Sequence, residues 1–316
     1  MKLVRFNDGR PGLLTDHGVI DVSQMVSPSD IRDDRGALAA IIRRLDDLRS
    51  DLLQIEKSGE VIPLTNVTLK APLPKPGKIL CMGGNFTEFG HRPPGPMWGF
   101  LKASEAVIGP DGVVILPPDD ANIFHHEAEL VVVFGSDGKD VREQDALDYI
   151  LGYTCGIDVS ARMQAVPGTS PPEFQSWRGM SPHKSFATFA PVGPAIVTKD
   201  EILDPQNLQV QLSVNDELRG DFSTSDMAYS IAKSIAFVSS FEGFSAGDIL
   251  YTGTNHQGLG AMQNGDKIRI SIEQVGNFAC TVQDPLQRRW ERGIDQETAE
   301  DMRKGTGGPG RRKRPL

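Results

Sequence analysis

The residues that could do chemistry begin with Glu127-Ala128-Glu129, directly ahead of the apolar run Leu130-Val131-Val132-Val133-Phe134. A strand repeats every two residues, so both carboxylates project from one face. Two like charges held that close repel, and burying them unpaired is costly or raises their pKa. A hard divalent cation resolves the conflict, because Mg2+ and Mn2+ accept carboxylate oxygens and keep positions open for a substrate. On spacing alone, two solvated acids on an exposed strand face is the competing reading.

Three further elements add to the pair. In Gly156-Ile157-Asp158-Val159-Ser160-Ala161-Arg162, Asp158 ends an apolar strand and Arg162 falls one turn later if a helix starts there. Asp158 is then a third metal ligand, or the N-cap of that helix with a solvated Arg. The Arg162 guanidinium can bind a carboxylate or enolate through two bonds. In His183-Lys184-Ser185-Phe186, Lys184 could stabilise an oxyanion near a metal, or lie on the surface. In Thr252-Gly253-Thr254-Asn255-His256-Gln257-Gly258, small residues after a strand let backbone amides approach a ligand. That loop lacks both the Lys-Ser/Thr of a phosphate loop and the GxGxxG order.

The elements that must position these groups read as mostly β. Strands are expected over 79–82, 113–116, 130–134, 150–157, 195–198, 209–214, 249–252, 267–272 and 279–282, with one clear helix over 227–240. Many short strands and few helices favour a closed or folded β-structure over a doubly wound sheet. Residues 1–72 read as a small leading domain with short strands and one helix over 31–55. A stiff connector, Ala71-Pro72-Leu73-Pro74-Lys75-Pro76-Gly77, separates it from a catalytic domain over 73–290. Residues 291–316 read as a polar, flexible tail containing Arg311-Arg312-Lys313-Arg314.

Bulk properties narrow the function classes. A net charge of −9 over 316 residues argues against nucleic-acid binding. No apolar stretch approaches the ~20 residues of a membrane span, and the N-terminus lacks a signal-peptide core. The three cysteines, Cys81, Cys155 and Cys280, give neither a disulfide framework nor zinc spacing and read as small buried hydrophobes. A reducing, cytoplasmic compartment is expected.

Taken in order, the elements resemble the fumarylacetoacetate hydrolase family from about Lys78 to Pro285. The motifs are Gly84-Asn85-Phe86, Phe100-Leu101-Lys102-Ala103-Ser104, Glu127-Ala128-Glu129-Leu130, Asp158 to Arg162, Lys184 to Phe186, Pro191 to Pro194, Gly247-Asp248 and Thr252 to Thr254. The resemblance implies an α+β, mostly β fold: a rolled mixed sheet with a small N-terminal domain, usually homodimeric. It implies Mg2+ or Mn2+, sometimes Ca2+, on Glu127, Glu129 and Asp158. Arg162 and Lys184 are implied around the oxygens of a small keto acid, with Gln164, Lys102 and Thr254 as further substrate contacts. The activity it implies is hydrolysis of a C–C bond in a 2,4-dioxo acid through a metal-stabilised enolate. The alternatives are a decarboxylase or a sugar-acid dehydratase on the same scaffold, and an inactive binding protein.

The chain departs from the family where a base is needed. Many members place a His three residues after the Asn-Tyr pair; here Phe89 stands there and His91 comes two residues late, before Arg92-Pro93-Pro94-Gly95-Pro96. His91 and His256 are therefore both candidate bases. Gln164 sits one position early. One of His125 and His126 is expected to support the metal ligands from behind.

Overall fold

The computed structural model describes residues 1–163, 177–306, 308–310 and 313–316. The leading segment forms an antiparallel meander of β1 (Lys2–Phe6), β2 (Arg10–Thr15) and β3 (Gly18–Asp21). Three helices follow: α1 (Pro28–Arg32), α2 (Ala37–Arg43) and α3 (Leu45–Ser58). The single helix expected over 31–55 is thus broken twice. Gly36 has a φ of +84°, and a Cβ there would lie 2.9 Å from Pro74, so the chain turns tightly against the proline connector. Arg44, with φ of −122°, separates α2 from α3.

The catalytic segment opens with β4 (Ile79–Gly83), β5 (Trp98–Lys102), β6 (Ala121–Phe134), β7 (Ile150–Met163), β8 (Trp177–Met180) and β9 (Ala190–Thr198). It continues with β10 (Gln209–Val214), β11 (Glu217–Ser223), α4 (Ile231–Phe241), β12 (Ile249–Tyr251), β13 (Lys267–Ile272) and β14 (Gly276–Gln283). Among the described residues the main sheet has thirteen strands and includes the order β8-β5-β4-β12-β6-β7-β9-β1-β2-β3. β1 pairs with β9, so the leading unit continues the catalytic sheet. A second, five-stranded sheet contains the order β11-β10-β13-β14. The fold is α+β and mostly strand, as expected.

Two strands differ from expectation in a way that matters. β6 starts at Ala121, so the Glu-x-Glu pair lies in mid-strand, buried at every position on both faces. β7 runs on to Met163, so no helix starts at Asp158. Asp158, Ser160 and Arg162 therefore alternate onto one face of a strand. The polar side chains in both runs obscured these extensions. Across the ladder His125 faces Ser160 and Glu127 faces Asp158.

The terminal segment also differs. Gln296–Lys304 form α5, whose N-cap Asp295 accepts from the Thr298 N–H at 3.1 Å and which Gly305 ends in a left-handed conformation. The Gly310 N–H then donates to Thr298 Oγ1 at 3.0 Å. Among the described residues of this segment, a buried Thr thus gives the Gly310 backbone its partner. No helix among the described residues is long and apolar enough to cross a membrane. All three cysteines are buried, and burial pushes each thiol pKa up.

Candidate active site

The antiparallel ladder of β6 and β7 places Glu127 opposite Asp158 and Glu129 opposite Gly156. Directly opposed residues share a face, so the three acids point into one space. Gly156 makes room there: a Cβ would lie 2.5 Å from Val131 and 2.7 Å from the Tyr251 ring. Oxygens of Glu127, Glu129 and Asp158 lie within 4.8 Å of one another, and all three residues are buried.

Cations compensate this charge unevenly. Lys102 Nζ donates to Asp158 Oδ1 and, at 3.3 Å, to the Val159 carbonyl. Lys184 Nζ donates to Asp158 Oδ2 and, at 2.6 Å, to Glu127 Oε2. Arg162 donates to Glu127 Oε1, and its Nε reaches His125 Nδ1 at 3.2 Å. Burial lowers the Lys184 pKa, but Asp158 and Glu127 outweigh it and raise the ammonium to about 12. Burial raises that of Glu127, yet Arg162, Lys184 and His256 hold it well below the usual range. Burial drives that of Glu129 well upward, and the charges of Asp158 and Glu127 push the same way.

Glu129 is the under-compensated member. Among the described residues it accepts a hydrogen bond from the Gly253 N–H at 2.5 Å, which a φ of +96° turns inward after β12. Three buried carboxylates, one left without a cation in contact, are an all-oxygen donor set that fits a hard divalent ion.

A cavity of about 330 Å3 opens over the cluster, near the lower end for small-molecule sites. Glu127, Glu129, Arg162, Lys184, Thr254 and His256 all line it. Lys102 does not: it lies behind Asp158, fully buried, so the expectation of a substrate contact gives way to a support for the acid. Gln164 lies outside the described residues. His125 is buried, and burial with the Arg162 charge lowers its pKa well below the usual range, so it faces Arg162 as a neutral ring.

The loop after β4 places the two candidate bases differently. Glu88 and Phe89 both take left-handed backbone, with φ of 55° and 60°. The Arg92 N–H closes the turn on the Thr87 carbonyl at 2.7 Å. The turn sends Glu88 into the interior and leaves Phe89 52 % exposed. His91 is exposed and lines no part of this cavity, because the turn carries it outward. His256 does line it, with Nδ1 2.6 Å from Glu88 Oε1 and Nε2 4.0 Å from Glu127 Oε1. Glu88 also accepts from the His256 N–H at 3.0 Å and from Gln257 Nε2 at 2.7 Å. Burial raises the Glu88 pKa, but the His256 charge and these bonds bring it below the usual value.

Sequence reasoning missed Glu88 and Asp226. Asp226 accepts from the Phe89 N–H at 3.2 Å and from Asn255 Nδ2 at 2.7 Å, tying the two loops together. A carboxylate beside the Phe89 departure was the available signal for Glu88; Asp226 had none.

Comparison with known proteins agrees with this geometry. Residues 78–283 match the model of the fumarylacetoacetate (FAA) hydrolase C-terminal family. Oxaloacetate tautomerase Fahd2a, mitochondrial, of Rattus norvegicus is 35% identical over 230 residues, covering 68% of this chain and 69% of that protein. The crystal structure of maleylpyruvate hydrolase from Sphingobium sp. SYK-6 superposes with a TM-score of 0.77 at 32% identity, covering 90% of this chain and 100% of that one. The same enzyme in complex with manganese (II) ion and pyruvate gives a TM-score of 0.75 at 31% identity, covering 90% and 99%. The chain belongs to the fumarylacetoacetate hydrolase family.

Proposed function

We propose that this protein is a divalent-metal-dependent hydrolase that cleaves a C–C bond in a 2,4-dioxo acid. The observation that carries the reading is the buried cluster of Glu127, Glu129 and Asp158 beneath a small cavity lined by Glu127, Glu129, Lys184, Arg162 and His256. Glu127, Glu129 and Asp158 would hold Mg2+ or Mn2+, Ca2+ being a third fit. When bound, the ion supplies Lewis-acid polarisation of the oxo acid's oxygens. The related enzyme's complex with manganese and pyruvate supports that assignment.

The remaining steps belong to the chain's own residues. Glu88 accepts the Nδ1 proton of His256, which leaves the Nε2 lone pair facing the cavity as a general base. His256 takes a proton from water, and the resulting hydroxide adds to the C4 carbonyl. The C3–C4 bond breaks, its electron pair passing to C3 as an enolate that protonation turns into a 2-keto acid. Lys184 stabilises the enolate oxygen and Arg162 the carboxylate, in a cavity where burial strengthens both. Thr254 and Gln164 complete the substrate contacts in this reading.

The test is a metal-supplemented screen of acylpyruvates, oxaloacetate and 2-keto-3-deoxy acids with mass-spectrometric readout. Two acid products from an acylpyruvate support hydrolysis. Loss of CO2 or water with the skeleton otherwise whole would sink it in favour of a lyase. The oxaloacetate tautomerase relative favours one further reading, proton transfer without cleavage, for which His256 alone suffices. Deuterium exchange at C3 of unchanged oxaloacetate would identify it. The proposal includes a homodimer in a reducing, cytoplasmic setting, checked by light scattering and fractionation.

A further inference from the structure

Glu88 and His256 come from different loops, so their contact exists only while the two loops keep one relative position. Glu88 and Phe89 are both left-handed and neither is glycine. Such backbone is strained and persists where its surroundings over-determine it. Here a third segment does so. Asp226 lies between β11 and α4, and its own backbone is fixed to the stretch entering the turn. The Thr87 N–H donates to the Asp226 carbonyl at 2.9 Å, and the Ala228 N–H to the Asn85 carbonyl at 3.0 Å.

From that anchor the Asp226 carboxylate reaches both loops. Oδ1 accepts from the Thr87 hydroxyl. Oδ2 accepts from the Phe89 N–H at 3.2 Å and from Asn255 Nδ2 at 2.7 Å. Asn255 Oδ1 in turn accepts from the Gln257 N–H at 2.8 Å, which fixes the amide plane. The residues on either side of Glu88 and the residue before His256 thus converge on one carboxylate. Asp226 lines no part of the cavity, so it acts on the pair only through these neighbours.

We propose that Asp226 is a positioning residue: it holds the strained turn against the His256 loop and so sets the Glu88–His256 contact on which the base depends. The effect on rate rests on the preceding reading of His256 as the base; the effect on the contact does not.

The test uses the full chain with Asp226→Ala, which removes all three bonds, and Asp226→Asn, which can keep them. In the second, the amide oxygen accepts from Phe89 and Asn255, and the amide nitrogen donates to Thr87 Oγ1. The first measurement needs no substrate. A ring N–H bonded to a buried carboxylate gives a far-downfield proton signal in histidine-labelled protein. His256→Ala identifies it among the six histidines. The signal should survive in Asp226→Asn and vanish or move upfield in Asp226→Ala. The second measurement is Mn2+-supplemented cleavage of acetylpyruvate. Asp226→Ala should lower kcat by about tenfold to a hundredfold, the cost of a misplacement of about 1 Å, with KM within about twofold. On a Glu88→Gln background the same change should cost less than about twofold, since no contact is left to position. Melting temperatures confirm that each variant is folded. If Asp226→Ala is not, Thr87→Val and Asn255→Ala remove the bonds singly and carry the same comparison. A signal unmoved in Asp226→Ala, losses that multiply with those of Glu88→Gln, or Asp226→Asn as damaging as Asp226→Ala overturns the proposal. A signal that responds as expected in a protein that cleaves no acylpyruvate supports the positioning and counts against the hydrolase reading alone.

Discussion

Asp158 holds a lysine on each oxygen, and the two lysines should fail in opposite ways. Lys102 is fully buried, touches Asp158 and the Val159 carbonyl, and lines no part of the cavity. Lys102→Met keeps the stem but leaves one face of a buried carboxylate without its cation. Breaking a buried ion pair costs about 3–5 kcal/mol. Lys184 stays on the other oxygen, so the lower end, about 3 kcal/mol, is expected. At roughly 2 °C per kcal/mol for a large domain, the melting temperature should fall by about 6 °C. Urea denaturation should give the same loss through a shifted midpoint with an unchanged slope. Among molecules still folded, KM should stay within about twofold, since no substrate contact has gone. Lys184→Met should do the reverse, losing kcat by about a hundredfold or more at smaller cost in stability. If Lys102→Met melts with the wild type and instead raises KM, Lys102 is a substrate ligand and the reasoning is wrong.

Other outcomes follow from the same geometry. Glu129→Gln should abolish the rise in melting temperature that Mn2+ causes, which otherwise grows by RT ln(1 + [Mn2+]/Kd); a retained rise would move the ion elsewhere. Replacing either member of the His256–Glu88 pair, His256→Ala or Glu88→Gln, should lower kcat by about 10²–10⁴, with the double variant little worse than the worse single. Additive losses would mean that the two act separately. His126 is buried, and burial with the Arg219 charge lowers its pKa to about 4 from 6.5. Its neutral form belongs to the folded state. That stability is full above pH 6.5 and is lost as pH falls toward 4, by about 3 kcal/mol. His126→Phe should flatten that acid limb in chemical denaturation, and an unchanged limb would contradict the assignment. Gly253→Ala forces a side chain to φ +96° and should cost about 1–3 kcal/mol while weakening Mn2+ binding, because the N–H on Glu129 shifts.

The acidic cluster was legible because its chemistry is written in residue type at period two: Glu127 and Glu129 announce a face, and Asp158 adds a third carboxylate. Strand length was not legible. Asn122, His125 and His126 break the apolar run that marks a strand, although all three are buried within it. The loops resisted reading for a different reason. His91 and His256 looked equivalent as letters, and their fates depend on two left-handed residues, Glu88 and Phe89, neither of them glycine. Lys102 looked like a substrate contact because its motif borders the site, whereas depth behind Asp158 has no signature along a chain. The terminal segment reads as disordered by composition, yet Met302, Gly308 and Pro309 form part of the cavity wall.

The β6–β7 ladder makes the acidic cluster a report on alignment. Glu127 and Glu129 come from one strand and Asp158 from the next, and a slip of one residue turns a whole set of side chains to the opposite face. A molecule with that slip keeps every residue of the sequence and loses the cluster. An ion that needs all three oxygens would bind only the correctly paired sheet and add its binding free energy to that form alone. The supply of the ion would then govern how many newly made chains reach the right pairing, and a cell short of it would lose protein to degradation before it lost turnover per molecule.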